Sequence, residues 1–239
     1  MFPKGAAALL VVVGLSVLVD RHAHAQDADT IQVGGTTYRL DGIDAPESDQ
    51  FCLDQEGKTY RCGRDAAEVL KTFIAGRTIQ CDNLGPDRAY PKRSIGQCSV
   101  DGVDLHQWLV KEGWAINFEP HAEGRFKSVQ EEARQGRFGM WKGCFVAPQD
   151  YRRWNRGTAA LLGVGCPDDA REKLFPDDPE MPPGCQIKGK YSWRAYPYLG
   201  IYHEPGCGSY VRTKKPSRWF CGAEEAQAAG FRRSFTCWW

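Results

Sequence analysis

Strand formers and polar residues first alternate over Thr30–Val33 and Thr36–Ile43, a period that suits two half-buried strands. Gly34-Gly35 separates the runs, and a Gly-Gly pair supplies the positive φ that a two-residue hairpin turn needs. The spacing therefore predicts a hairpin that brings Asp29, at the start of the first strand, to Asp44, at the end of the second. Pro46 then stops sheet pairing and holds Ala45 extended. Ser48–Gly63 reads as a polar loop.

The period changes to a helical one over Asp65–Ala75. Ala66, Val69, Leu70, Phe73 and Ile74 fall on one face, and Gly76 stands at the C′ position. Thr78–Cys81 and Ser94–Val100 return to strand character, with Asp101-Gly102 as a turn. Asp104 is placed to cap a helix through Leu105, Trp108 and Leu109 to Gly113. A third helix is expected over Arg125–Gln135, with Phe126, Val129 and Ala133 inward. This order of elements defines an α+β class and nothing finer.

Beyond residue 143 the pattern loosens. Tyr151–Leu162 reads as a basic helix, and the Asp/Pro-rich run ending at Pro182-Pro183-Gly184 reads as a linker. Residues 185–239 then form a separate module with 12 aromatics and nine Lys/Arg against three Glu, a formal charge of +6. Cations interleaved with aromatics suit an anionic polymer, through phosphates and base stacking. A domain this small also needs aromatics and disulfides simply to make a core.

The whole chain has 239 residues and a formal charge of +1, so no global basic field draws in polyanions. Ten cysteines, an even count, point to an oxidising compartment. Local geometry pairs Cys52 with Cys62 and Cys81 with Cys98. Keeping partners within one domain then gives Cys144–Cys166, Cys185–Cys221 and Cys207–Cys237. His203 beside the module cysteines raises zinc, but no Cys-x-x-Cys spacing exists, and disulfides are expected. Lys4, the apolar run Ala6–Val19 and Ala23-His24-Ala25 have the layout of a secretory signal cut after Ala25. Secreted or periplasmic location follows, with an uncleaved membrane anchor as the alternative. The expected division is a signal over residues 1–25, a main domain over 26–145, a linker over 146–184 and the module over 185–239.

The candidate chemistry gathers at the exit of the second strand. Arg39, Asp44 and Glu47 leave one strand and its turn as a cation and two carboxylates, and Asp27 and Asp29 add two more acids. Acids able to hold a hard cation, an arginine, and a further acid to handle water suit phosphodiester hydrolysis. His106 and His121 stand alone and read as surface or packing residues.

Asp-Ala-Asp-Thr, then Tyr-Arg-Leu-Asp-Gly-Ile-Asp-Ala-Pro-Glu, then a later lone arginine, resembles the staphylococcal-nuclease (thermonuclease) family over residues 27 to 142. The resemblance implies a five-stranded OB-type barrel with about three packed helices. It implies Ca²⁺ as cofactor, held by the Asp29 and Asp44 carboxylates and the Ala45 carbonyl. Glu47 would act on the attacking water, and Arg39 and Arg93 would clamp the phosphate. Arg93 takes that role because it directly precedes a strand, with Arg88 as the substitute. Arg88, Tyr90 and Lys92 on the same loop become substrate-binding candidates. Gly139-Met140-Trp141 resembles the family's Gly-Leu-Trp closure, with Trp141 in the core. DNA or RNA is the implied substrate of a monomeric endonuclease, and a non-catalytic OB-type binding protein is the alternative. Ala28 stands where the family has Gly. A cut after Ala25 leaves three residues ahead of Asp29, so either the first strand is abbreviated or the cut lies elsewhere.

Overall fold

The computed structural model describes residues 24–176 and 179–237; the apolar run of the expected signal lies outside them. The principal sheet has six strands, in the order His24–Asp27, Thr30–Val33, Thr36–Leu40, Ser94–Val100 and Ile79–Pro86, with Val103–Asp104 also paired to Ser94–Val100. Gly34 and Gly35 take φ of 57° and 77° and close the expected hairpin, with Val33 opposite Thr36. The hairpin returns the chain so that Leu40 N–H donates to the Asp29 carbonyl at 2.8 Å.

Thr36–Leu40 and Ser94–Val100 run parallel, with Tyr38 opposite Ser94 and Arg39 opposite Ile95. The Tyr38 ring lies over Gly96, where an added Cβ would meet its Cδ1 at 2.7 Å.

The closed five-stranded barrel is not found among the described residues. Its closure requires ladder bonds between the outer strands, whereas His24–Asp27 and Ile79–Pro86 are the two ends of the sheet. Ile43–Asp44 instead pairs only with Ile116–Asn117 in a small sheet of its own. The first strand is not missing either. His24–Asp27 pairs antiparallel with Thr30–Val33, and Ala25 is buried in the core. A cut after Ala25 would therefore divide a paired strand.

Seven α-helices occur among the described residues, against three expected for the main domain and a basic helix after it. The three expected in the main domain are Cys62–Ile74, Leu105–Lys111 and Lys127–Gly136; the others have four to six residues each. Cys62–Ile74 starts ahead of Asp65, where the Cys52–Cys62 disulfide fixes its first residue. It buries Ala66, Leu70 and Ile74 against the sheet. Asp104 caps the second helix by accepting from the His106 and Gln107 amides.

The basic stretch after residue 150 is not a helix through Leu162. It is the short helix Pro148–Arg152 and, after a turn with Trp154 at φ 53°, the strand Leu161–Gly163. Residues expected as a linker are packed. Tyr151, Leu174 and Phe175 are fully buried with Leu53 and Cys144 in one cluster. Five disulfides join Cys52–Cys62, Cys81–Cys98, Cys144–Cys166, Cys185–Cys221 and Cys207–Cys237.

Residues 185–237 form a four-stranded sheet in the order Arg218–Phe220, Ile187–Tyr191, Gly200–His203, Phe231–Arg233, with helix Ala223–Ala228 packed on it. An aromatic chain ties it to the preceding segment: Trp154 to Tyr191 at 5.4 Å between ring centroids, and Tyr191 to Phe231 at 5.0 Å.

Candidate active site

Asp29, Arg39, Asp44, Glu47 and Arg93 come together, each placed by a different constraint. Asp29 and Arg39 are opposed across the hairpin, next to one another in its register. Asp44 sits in the two-residue strand beside Ile116. Glu47 lies on a turn held by Gln50, whose amide N–H donates to the Glu47 carbonyl at 2.8 Å, while its side chain binds the Val146 carbonyl at 3.0 Å. Helix Cys62–Ile74 passes so close that a Cβ on Gly63 would stand 1.7 Å from the Glu47 carbonyl oxygen.

Arg39 Nη2 lies 3.5 Å from Asp44 Oδ1 and 3.8 Å from Asp29 Oδ2, so one guanidinium spans both acids. Arg93 is buried. Its Nε and Nη2 donate to Asp87 Oδ2 at 3.0 and 2.6 Å, and its Nη1 to the Thr30 hydroxyl at 3.2 Å. The loop between them is closed by Asp87 N–H to the Arg93 carbonyl at 2.8 Å. Tyr90 on that loop is buried, and its hydroxyl has no partner within the protein. Arg88 and Lys92 are exposed. His106 is a packing residue: its Nε2 accepts from Cys98 N–H and its Nδ1 bonds the Asp41 carbonyl, both at 2.8 Å.

Two arginines absent from the sequence reading complete the site. Arg152 Nη2 donates to Asp44 Oδ1 and its Nη1 to Glu47 Oε1, each at 2.6 Å. The Gln149 amide donates to the other Asp44 oxygen at 2.8 Å. Arg218, fully buried, forks onto Asp49 and reaches Glu47 Oε2 at 3.3 Å. Nothing local announced either residue. Arg152 lay in a generic basic stretch, and Arg218 was one cation of nine in the module.

The acids respond to this crowding. Burial, then the Asp29 and Glu47 carboxylates, push Asp27 well above the usual carboxylate range. Burial also pushes Asp29 up, but Arg39, Arg152 and Arg93 outweigh it and leave Asp29 low. At Asp44 burial prevails over Arg152 and Arg39, and the group is raised. Burial acts against the Asp87 carboxylate too, yet the Arg93 fork holds it low.

Asp27, Asp29, Asp44 and Glu47, gathered at one place, are a donor set that suits a hard divalent cation. A small hollow of about 30 Å³ is lined by Asp27, Asp29, Arg39 and Glu47, and by Glu224 and Glu225 of the module. Beside it a cleft of about 720 Å³ runs past Arg39, Arg88, Arg152 and Arg153 on one side and Leu199 and Gly230 of the module on the other.

Known proteins match this chain over about half its length. The family model for staphylococcal nuclease homologues covers residues 37–143, a span that includes Arg39, Asp44, Glu47 and Arg93 but neither Asp29 nor Arg152 nor Arg218. The succinoglycan biosynthesis protein ExoI of Rhizobium meliloti (strain 1021) is 36% identical over 140 residues, 57% of this chain and 72% of that protein. An uncharacterized endonuclease of Escherichia coli O157:H7 is 30% identical over 51% of this chain and 76% of its own length. A probable endonuclease LCL3 of Yarrowia lipolytica is 30% identical, and the match spans 54% of that protein. The chain belongs to the staphylococcal nuclease family.

Proposed function

We propose that this chain is an extracytoplasmic nuclease that hydrolyses phosphodiester bonds of DNA and RNA with Ca²⁺. The observation that carries the reading is the convergence of Asp29, Arg39, Asp44 and Glu47 within one bonded cluster, with Arg93 lining the same small cavity. A protein that only bound polyanions would gain nothing from three acids there. The five disulfides suit an oxidising compartment, and no described helix is long and apolar enough to cross a membrane.

Asp29, Asp44 and the Ala45 carbonyl would hold Ca²⁺, which when bound polarises the phosphoryl group and offsets its charge. Glu47 takes a proton from the water that attacks phosphorus. Arg39 and Arg93 donate to the phosphoryl oxygens as charge builds on them, and a guanidinium suits this because it donates as a fork and does not lose its proton. Asp87 keeps the Arg93 fork in one orientation before substrate arrives. The cleft past Arg88 and Arg153 fits a single strand running out from the acids, and the unpartnered Tyr90 hydroxyl is a ready donor to it. The exposed Tyr196 and Tyr198 of the module offer further faces for an anionic polymer that carries rings.

Digestion of single-stranded DNA and of RNA, with Ca²⁺ and with chelator, tests the reading. Cutting that stops on chelation and is lost in Glu47→Gln supports it. Full cutting by Glu47→Gln would place the chemistry elsewhere.

A further inference from the structure

Both oxygens of Asp44 are already engaged, by the Arg152 guanidinium and by the Gln149 amide, and Asp44 is fully buried. The same guanidinium holds Glu47 Oε1. The two side chains that a nuclease of this design keeps for its cation and its water are thus bridged by one positive group. We infer that Arg152 is the resident counter-ion of the acid cluster and that a divalent cation binds by displacing it.

The rest of the chain holds the plug in place. Helix Pro148–Arg152 carries both the Gln149 amide that donates to Asp44 and the Arg152 side chain. The Tyr191 hydroxyl of the module donates to the Arg152 carbonyl at 2.9 Å, and the neighbouring Tyr151 hydroxyl donates to the Asp49 carbonyl at 3.0 Å. Arg218 occupies the other oxygen of Glu47. All these groups except Asp44, Glu47 and Asp49 lie beyond residue 143, outside the family match. The extension therefore supplies a cation of its own to a site that the family portion builds for an external one. A unit positive charge 2.6 Å from each of two carboxylates removes much of the field that would attract a divalent ion. Displacement has an open destination, because Arg152 also borders the wide cleft.

This inference rests on the Ca²⁺ reading above and concerns its affinity, so its test is a binding measurement. Titration calorimetry with Ca²⁺ on the whole chain should give a Kd at least tenfold tighter for Arg152→Gln than for the unaltered protein. Tyr191→Phe, which frees only the Arg152 carbonyl, should tighten it by a smaller factor. If Arg152→Gln does not fold, hydrogen exchange on the unaltered protein decides. Saturating Ca²⁺ should speed exchange of the Gln149 amide, which loses its Asp44 acceptor, and unchanged or slower exchange overturns the displacement. Equal Ca²⁺ affinity in the variant and the parent overturns the plug and leaves the Ca²⁺ reading standing. No Ca²⁺ binding by either protein overturns both.

Discussion

Arg218 and Asp49 form a buried fork across 169 residues of sequence, with Nη2 2.7 Å from one carboxylate oxygen and Nε 3.1 Å from the other. Arg218 belongs to a strand of the module and Asp49 to the turn that carries Glu47, so the pair fastens the one to the other. Breaking it by Arg218→Met leaves a buried carboxylate uncompensated, a loss of about 3–5 kcal/mol. Chemical denaturation of Arg218→Met, Asp49→Asn and the double variant should show the double close to either single. Additive losses would mean that the two residues do not act as a pair.

Arg93→Ala should lower kcat by about 10²- to 10³-fold and raise KM far less, because the group meets charge that exists mainly in the transition state. Arg93→Lys should recover little, since a lysine cannot reproduce the fork on Asp87. Steady-state kinetics on an oligonucleotide check both, and a change confined to KM would reassign Arg93 to ground-state binding.

Gly63→Ala pushes a methyl group into the Glu47 carbonyl, a backbone atom with no room to turn away. We expect a loss of about 1–3 kcal/mol in stability together with a fall in kcat. Gly157→Ala, where nothing lies within 4 Å of the new methyl, should leave both unchanged. Equal behaviour of the two variants would show that the helix does not press on the Glu47 turn.

Glu225 joins the module to the same turn by accepting from the Ser48 hydroxyl, while its other oxygen accepts from the Cys221 amide of the module. Burial is the main cause that pushes its carboxyl from an ordinary 4.5 to about 7, with the nearby Asp49 charge adding to it. The folded state thus holds a proton that the unfolded chain releases at lower pH. Its contribution to stability is complete below the unfolded value, declines as pH rises from about 4.5 to about 7, and is absent above. Denaturation midpoints across that window should fall with pH in the parent and fall less in Glu225→Gln. Parallel slopes would remove Glu225 as the cause.

The site was legible where its residues leave the chain close together. Arg39, Asp44 and Glu47 share one strand and its exit. Gly34-Gly35 fixed the return that adds Asp29, since two glycines in sequence leave a hairpin as the natural turn. Arg93 was reachable only through the family pattern, because its place depends on a parallel pairing 54 residues away that no local period announces. Arg152 and Arg218 were not legible at all. Their partners lie more than 100 residues upstream, and a buried arginine carries the same letter as a solvated one. The barrel failed for a related reason. Closure is a bond between distant edges, and the residues at those edges are short, polar or shared with other pairs.

Gly96 carries no side chain to the acids or arginines of the site, yet it lets the Tyr38 ring lie over the neighbouring strand. Arg39 follows Tyr38 on one strand, and Arg93 precedes Ser94 on the other, so the two guanidiniums are set by counting residues along a shared ladder rather than by contact with each other. A side chain at Gly96 would lift Tyr38 and let the ladder slip. Because side chains alternate faces along a strand, a slip of one residue turns Arg39 away from the acids. A screen for inactive but folded variants would then return this bare backbone position beside Glu47 itself.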